Sequence, residues 1–155
     1  MFYWRKSQPK KEVICTICSR EKDQNQGFLP AHKRYLGEHI GLTEAVAVSE
    51  RRPFFILSGM FGLVKADRDL PYYDKRLEWG QVEELAARVA QQIVWHRIKT
   101  IRYYSEPKDS WAPYTQVLRN ACEQSQVGLI LQALPISKPK AIDTLPQVVD
   151  ATTST

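Results

Sequence analysis

The sequence is poor in the residues that hold metal ions or disulfides, with three cysteines and three histidines among 155 residues. An odd, small number of cysteines is not the pattern of a disulfide scaffold. Cys15 and Cys18 form a CxxC pair, but there is no second pair, and no histidine stands at ligand spacing from it. The pair lies in an apolar run typical of a strand, whereas a redox CxxC needs a helix N-terminus. We therefore expect no metal site and no organic cofactor.

Long apolar runs are also missing from the sequence. No stretch approaches the roughly 18 residues that cross a bilayer, and Arg5 and Lys6 follow the first apolar residues, the reverse of a signal peptide. The hydrophobic content of 43% and the charged content of 25% are those of a globular chain. We expect a cytoplasmic protein without a membrane partner. Its single α/β domain should cover residues 12–140, between a basic flexible arm at 1–11 and a polar tail at 141–155.

Basic residues exceed acidic ones by 22 to 17, and two regions hold much of the excess. One is the amino-terminal arm, and the other is a cluster that begins at Arg97 and ends at Arg119. Both can attract phosphates, and the attraction should fall as salt rises. A terminal run of charge is equally typical of a solvated arm, so a nucleic-acid partner remains one of two interpretations.

Four short apolar runs, rich in β-branched or aromatic residues, are continuous rather than alternating. They are residues 13–18, 54–58, 100–104 and 127–131. Runs of this length and composition are typical of strands that are covered on both faces.

Helical periodicity fills the intervals between these runs. Apolar residues at spacings of three and four predict helices over residues 81–96 and 112–124. A third helix over residues 32–49 is weaker, because Gly37 and Gly41 interrupt it. Alternating strands and helices predict an α/β fold, a three-layer sandwich of Rossmann-like type with a mainly parallel central sheet of about four strands.

Three of the predicted strands end at a serine, namely Ser19, Ser58 and Ser105. Ligands of parallel sheets bind beyond the carboxyl ends of the strands, so these hydroxyls would meet at one edge. Gly59 and Gly62 would allow the backbone to approach a ligand closely. Serine is common in any loop, so one such serine alone would indicate nothing. The expectation of a shared pocket depends on the occurrence of all three serines together with the two glycines.

About twenty residues separate Ser58 from the next predicted helix, several times the usual length of such a connection. The segment contains Pro71, Tyr72, Tyr73 and Asp74 in succession. A stiffened turn with two aromatic rings and a carboxylate suits stacking on a flat base and hydrogen bonding to its edge. The same tyrosines can equally seal the edge of the core while Asp74 caps a helix.

Several blocks of the sequence resemble known families. Residues 57–63 (LSGMFGL) and 69–74 (DLPYYD) resemble the LSG-aromatic-GLL and P-Y blocks of the YaaA-type peroxide-stress proteins. Together with residues 18–22 (CSREK) and 30–35 (PAHKRY), they are more similar still to a family of small uncharacterised bacterial and phage domains. The core domain of archaeosine synthase, which acts on a 7-deazaguanine base in tRNA, carries a similar Cys-Ser-x-Lys-like element.

The resemblance implies an α/β fold related to the uracil-DNA glycosylases and a site for a nucleobase, a nucleoside or a nucleic acid. It covers about half of the chain, and the helix-hairpin-helix insertion of the longer peroxide-stress proteins has no room here. As an enzyme, the protein would carry out base-modifying or glycosidic-bond chemistry. Lys22 would be the nucleophile, the base or a phosphate contact, and Asp74 the general base. The predicted ligand contacts are Cys18, Ser19, Ser58, Gly59, Gly62, Tyr72, Tyr73 and Ser105.

A non-catalytic alternative stands beside the enzyme. In it, the protein is a nucleic-acid-binding or stress-related protein of the YaaA-like type that uses its basic clusters, and its affinity depends little on Lys22 or Asp74. Trp79, Trp95 and Trp111 fit either core or interface positions. The sequence predicts no oligomeric state.

Overall fold

Strand β1 (Lys11–Ile17) is the central strand of a five-stranded sheet in the computed structural model, which describes residues 11–135. The other strands are β2 (Leu29–Pro30), β3 (Phe54–Ser58), β4 (Gly62–Lys65), β5 (Asp69–Leu70), β6 (Ile98–Ser105) and β7 (Gly128–Ala133). The sheet has the order β4-β3-β1-β6-β7, in which only β4 is antiparallel to its neighbour. Strands β2 and β5 form a separate antiparallel pair.

This architecture confirms the predicted α/β fold with a mainly parallel central sheet between helices. The four predicted strands are β1, β3, β6 and β7, with ends that shift by a few residues. The sequence does not predict strand β4, because its four residues follow β3 closely and fall within the long segment after Ser58. The predicted tail at residues 141–155 and all of the predicted arm except Lys11, which begins β1, lie outside the described residues.

The helices are α1 (Ala31–Arg34), α2 (Glu38–Glu50), α3 (Val82–Trp95) and α4 (Ala112–Ser125). Helices α3 and α4 match the predictions to within one residue at each end. The single helix predicted over residues 32–49 is wrong, because α1 and α2 are separate. The chain between them is extended at Tyr35 (φ −90°, ψ 126°), which pairs with Lys22 in an antiparallel bridge.

The side chains of β1 divide between two cores. Val13, Cys15 and Ile17 pack in the main cluster with α3 and α4, whereas Ile14 packs with Ala47 of α2 on the other face. Both faces of β1 are therefore buried, which explains why its sequence is a continuous apolar run. Each fully buried aliphatic side chain stabilises the fold by about 1.5–3 kcal/mol relative to its exposed state.

The sequence allows core or interface positions for three tryptophans, and two of the three lie outside the core. Trp95 is 82% exposed at the end of α3, and Trp79 is 58% exposed. Trp111 is partly buried against the main cluster. None of the helices in residues 11–135 has the length and apolar content needed to cross a bilayer.

Candidate functional site

The order of the strands reverses at β1. After β1 the chain passes through α2 to β3 on one side, and after β4 it returns through α3 to β6 on the other side. The segments that follow β1 and β6 therefore diverge. In open α/β sheets, the crevice between two such segments is where ligands bind.

A crevice with two adjoining compartments occupies this position. The large compartment has a volume of about 470 Å³ and is lined by residues after β1, at the start of α2 and after β6. The small compartment has a volume of about 140 Å³. The two share the following lining residues: Cys18, Ser19, Arg20, Arg76 and Trp111.

Ser19 fixes the backbone that surrounds the crevice. Its hydroxyl donates to the carbonyl oxygen of Glu21 at 2.7 Å and accepts from the backbone N–H of Gly37 at 3.1 Å. Gly37 has no room for a side chain, because a Cβ atom there would lie 2.6 Å from Cε1 of His39. Ser19 therefore ties the segment after β1 to the start of α2, and its proton is already engaged.

An aromatic pair lines the large compartment. The ring centroids of Trp111 and His39 lie 5.0 Å apart, and the rings are tilted by 53°. Nε2 of His39 donates to the carbonyl oxygen of Ile17 at 2.8 Å, and burial lowers the pKa of the imidazole, so it is neutral at pH 7. Lys108 places its ammonium group 5.2 Å from the centre of the Trp111 ring. The indole of Trp111 therefore gives the compartment an aromatic wall, next to an uncharged imidazole and an ammonium group.

The small compartment is rich in positive charge. Its charged lining residues are Arg20, Lys22, Lys75, Arg76 and Asp74. Within residues 11–135, none of these five side chains forms an ion pair. The amine of Lys22 donates to the carbonyl oxygen of Arg20 at 3.4 Å and lies 4.7 Å from the centre of the Tyr73 ring.

A buried hydroxyl network lies at the end of β3. The hydroxyl of Tyr73 is hydrogen-bonded to that of Tyr35 and, at 3.0 Å, to that of Ser58. The Ser58 hydroxyl also accepts from the backbone N–H groups of Met60 at 3.1 Å and Phe61 at 3.0 Å. Ser58 therefore satisfies the donors of the tight turn that follows β3.

The thiol of Cys18 and its aromatic neighbours are neutral. Burial raises the pKa of Cys18, while the backbone N–H of Gly59 and the hydroxyl of Tyr114 oppose the shift. Burial likewise raises the pKa values of Tyr35, Tyr73 and Tyr114. Because thiolate is the nucleophilic form of cysteine, Cys18 is not an activated nucleophile at neutral pH.

The predicted site residues fall into two groups. Cys18, Ser19, Lys22 and Asp74 line the crevice. Ser58 is fully buried and Tyr73 is 8% exposed, and neither lines a compartment. The Tyr73 ring packs against Tyr35 and Phe61, so it has the core-sealing position that the sequence left open beside stacking.

The other predicted contacts do not line the crevice. Gly59 lines a separate cavity of about 70 Å³, and Gly62 begins β4 with a φ of 78°. Ser105 lines a third cavity with residues of β7 and α4. Tyr72 is 38% exposed, with its ring near the guanidinium group of Arg34.

Several lining residues were missed by reasoning from the sequence. The sequence alone fits Trp111 to a core or an interface position, and it gives His39 no ligand spacing to the CxxC pair. Arg20 and Arg76 were not assigned a role at the site. The rule that ligands bind at the strand-order reversal finds these residues, but it requires the order of the strands, which periodicity does not supply.

The basic cluster between Arg97 and Arg119 is not one patch. Arg97 precedes β6 and Lys108 follows it, so the eight-residue strand, roughly 25 Å long, separates them. Arg102 is engaged by the carboxylates of Glu12 and Glu50. The charge that could face a polyanion is therefore divided between two ends of the sheet.

Comparison of the chain with family models, with curated proteins and with solved structures returned no match. In the part of the chain that the structure describes, no three His, Cys, Asp or Glu side chains group as metal ligands. The geometry of the crevice is therefore the basis for a functional assignment.

Proposed function

We propose that the crevice binds a nucleobase or nucleoside, with the base against Trp111. The observation that carries the proposal is the Trp111 and His39 pair in a cavity at the strand-order reversal. A volume of about 470 Å³ lies within the usual range for small-molecule sites, roughly 300–1,000 Å³. Stacking of a base on an aromatic side chain contributes about 1–3 kcal/mol.

The polar groups around this ring supply hydrogen bonds for the edge of a base. Glu38 and Ser110 line the large compartment, and neutral His39 keeps one ring nitrogen as an acceptor. Asp74 lines the adjoining small compartment without an ion-pair partner among residues 11–135. A carboxylate in this state can act as a general base in base-modifying or glycosidic-bond chemistry.

Equilibrium dialysis with free nucleobases and nucleosides tests the binding proposal. Trp111→Leu keeps an apolar side chain but removes the stacking surface, and the dissociation constant should rise roughly 5- to 150-fold. Trp95→Leu is the matched control, because Trp95 is 82% exposed and does not line the crevice. Thermal unfolding of both variants checks that they are folded. The proposal fails if no base binds, or if both variants bind as the unchanged protein does.

Mass spectrometry distinguishes the hypothesis of an enzyme from that of a non-catalytic binding protein. The protein is incubated with a panel of nucleosides and tRNA, and Asp74→Asn and Lys22→Met are compared with the unchanged chain. A product that disappears in Asp74→Asn supports catalysis. Binding in the dialysis experiment with no product from any substrate supports the non-catalytic alternative.

A further inference from the structure

The small compartment holds positive charge that no ion pair within residues 11–135 neutralises. Four of its lining residues are cationic and one is anionic. Arg102, by comparison, is held by the carboxylates of Glu12 and Glu50. Unpaired like charges in one cavity repel one another, and an anion between them would remove the repulsion.

The backbone that carries these cations is held in place. Arg20 follows Ser19, whose hydroxyl is bonded on both sides, and Lys22 pairs with Tyr35 in a backbone bridge. Arg76 precedes Leu77, whose backbone N–H donates to the hydroxyl of Tyr114 at 3.1 Å. The two cationic segments therefore line one cavity, and hydrogen bonds of neighbouring residues anchor each of them, which lowers the ordering cost of binding a ligand.

The two compartments are joined through shared residues. Arg20, Arg76 and Trp111 line both of them, so the two arginines and the aromatic ring border a ligand in either compartment. A guanidinium group binds a phosphate through two parallel hydrogen bonds. We propose that the small compartment is a phosphate subsite, so that the ligand is a free nucleoside monophosphate whose base lies against Trp111.

This inference rests on the proposed function and narrows its substrate class. Asp74 is the one carboxylate of the small compartment, and it would repel phosphate oxygens while accepting a hydrogen bond from a ribose hydroxyl. Ile17 and Tyr114 line the small compartment beside the cations. We take the volume of about 140 Å³ to suit one terminal phosphate rather than a continuing strand.

Calorimetric titration at low salt compares the four common nucleosides with their 5′-monophosphates. The monophosphate of the preferred base should bind at least tenfold more tightly than its nucleoside. In Arg76→Gln this advantage should fall below about threefold. The advantage should persist in Arg119→Gln, which removes the same charge at a residue that lines the cavity beside β7 and not the crevice.

Further titrations use other ligands and variants. Inorganic phosphate alone should bind weakly to the unchanged protein, and more tightly to Asp74→Asn. A 5′-phosphorylated dinucleotide should bind more weakly than the monophosphate. Arg76→Lys should recover part of the advantage, and its unfolding midpoint, with that of Arg76→Gln, shows that both variants are folded.

The outcomes separate the inference from the function beneath it. Nucleosides that bind as tightly as their monophosphates would overturn the phosphate subsite and leave the nucleoside site standing. Arg76-dependent binding of inorganic phosphate without any nucleoside binding would overturn the nucleoside function and support the anion subsite. If Arg76→Gln and Arg119→Gln lose affinity for the monophosphate equally, the attraction is general electrostatics and the phosphate subsite is overturned. If the dinucleotide binds as tightly as the monophosphate, the assignment of a free nucleoside monophosphate as the ligand is overturned.

Discussion

At the scale of single residues, the end of β3 shows how a predicted ligand group becomes a structural one. The hydroxyl of Ser58 is shared among two backbone donors and the hydroxyl of Tyr73. All of its hydrogen-bonding capacity is used inside the protein. The result is a neutral, rigid cluster beside the crevice rather than a group that meets the ligand.

Replacement of Ser58 should therefore destabilise the fold more than the loss of one neighbouring hydroxyl. Ser58→Ala leaves two partly buried N–H groups and one buried hydroxyl short of a partner, and the free energy of unfolding should fall by about 2–4 kcal/mol. Tyr35→Phe removes one partner from Tyr73, which keeps its bond to Ser58, and should cost about 1 kcal/mol. Urea denaturation measures both. Equal losses of unfolding free energy in Ser58→Ala and Tyr35→Phe would contradict this hydrogen-bond network.

Stability should also depend on pH through His39. Burial lowers the pKa of the imidazole from its ordinary value of 6.5, and the positive charge of Lys108 lowers it further. The carbonyl oxygens of Ile17 and Cys18 and the carboxylate of Glu106 raise this pKa, but burial has the larger effect. The unfolded state therefore binds the proton more readily, so the stabilisation is present above pH 6.5 and is lost as the pH falls through the folded pKa.

Thermal unfolding between pH 7.5 and pH 5 measures this loss. His39→Gln removes the titration and keeps a donor for the Ile17 carbonyl, so its unfolding midpoint should fall less over the same interval. His96, whose pKa burial also lowers, retains part of the dependence in that variant. A midpoint that falls equally in the variant and in the unchanged chain would rule out His39 as a source.

At the scale of elements, the turn between β3 and β4 depends on a side chain from α3. Oε1 of Gln92 accepts from the backbone N–H of Leu63 at 2.7 Å, and its Nε2 donates to the carbonyl oxygen of Phe61 at 3.0 Å. Gly62 lies between them with a φ of 78°. The amide thus joins α3 to the antiparallel edge of the sheet.

A side chain at Gly62 should break this junction. A Cβ atom would lie 2.4 Å from Oε1 of Gln92, in a backbone conformation that favours glycine. Gly62→Ala should lower the free energy of unfolding by at least about 2 kcal/mol, since strain and the lost hydrogen bonds add.

Gly80→Ala is the matched control for the Gly62 substitution. A Cβ atom at residue 80 would meet nothing within 4 Å, and its φ is not positive. Its free energy of unfolding should change by less than about 0.5 kcal/mol. Similar losses in the two variants, measured by urea denaturation, would contradict the role given to Gln92.

The elements that were predicted well are those whose stability is local. Helices α3 and α4 carry long apolar stripes at helical spacing, so periodicity alone gives their bounds. Strand β4 has only four residues and exists because it pairs with β3 across a turn. The break between α1 and α2 likewise comes from the pairing of Tyr35 with Lys22, a contact between residues distant in sequence.

At the scale of the whole molecule, the order of the strands decides where a ligand can bind. The sequence predicts a pocket at the carboxyl edge, because serines follow three strands there. It does not give the order β4-β3-β1-β6-β7, which opens the crevice between β1 and β6 rather than beside β3. Ser19 therefore lines the crevice, whereas Ser58 and Ser105 do not.

The central claim, a ligand site between the carboxyl ends of β1 and β6, is tested most directly by NMR. Amide resonances of the labelled protein are followed during titration with the four nucleoside monophosphates. The account predicts that the largest shift changes fall at residues 18–22, 37–39, 74–77 and 108–111. Shifts confined to the cavity near Gly59 or to β7, or no shifts with any of the four, would contradict it.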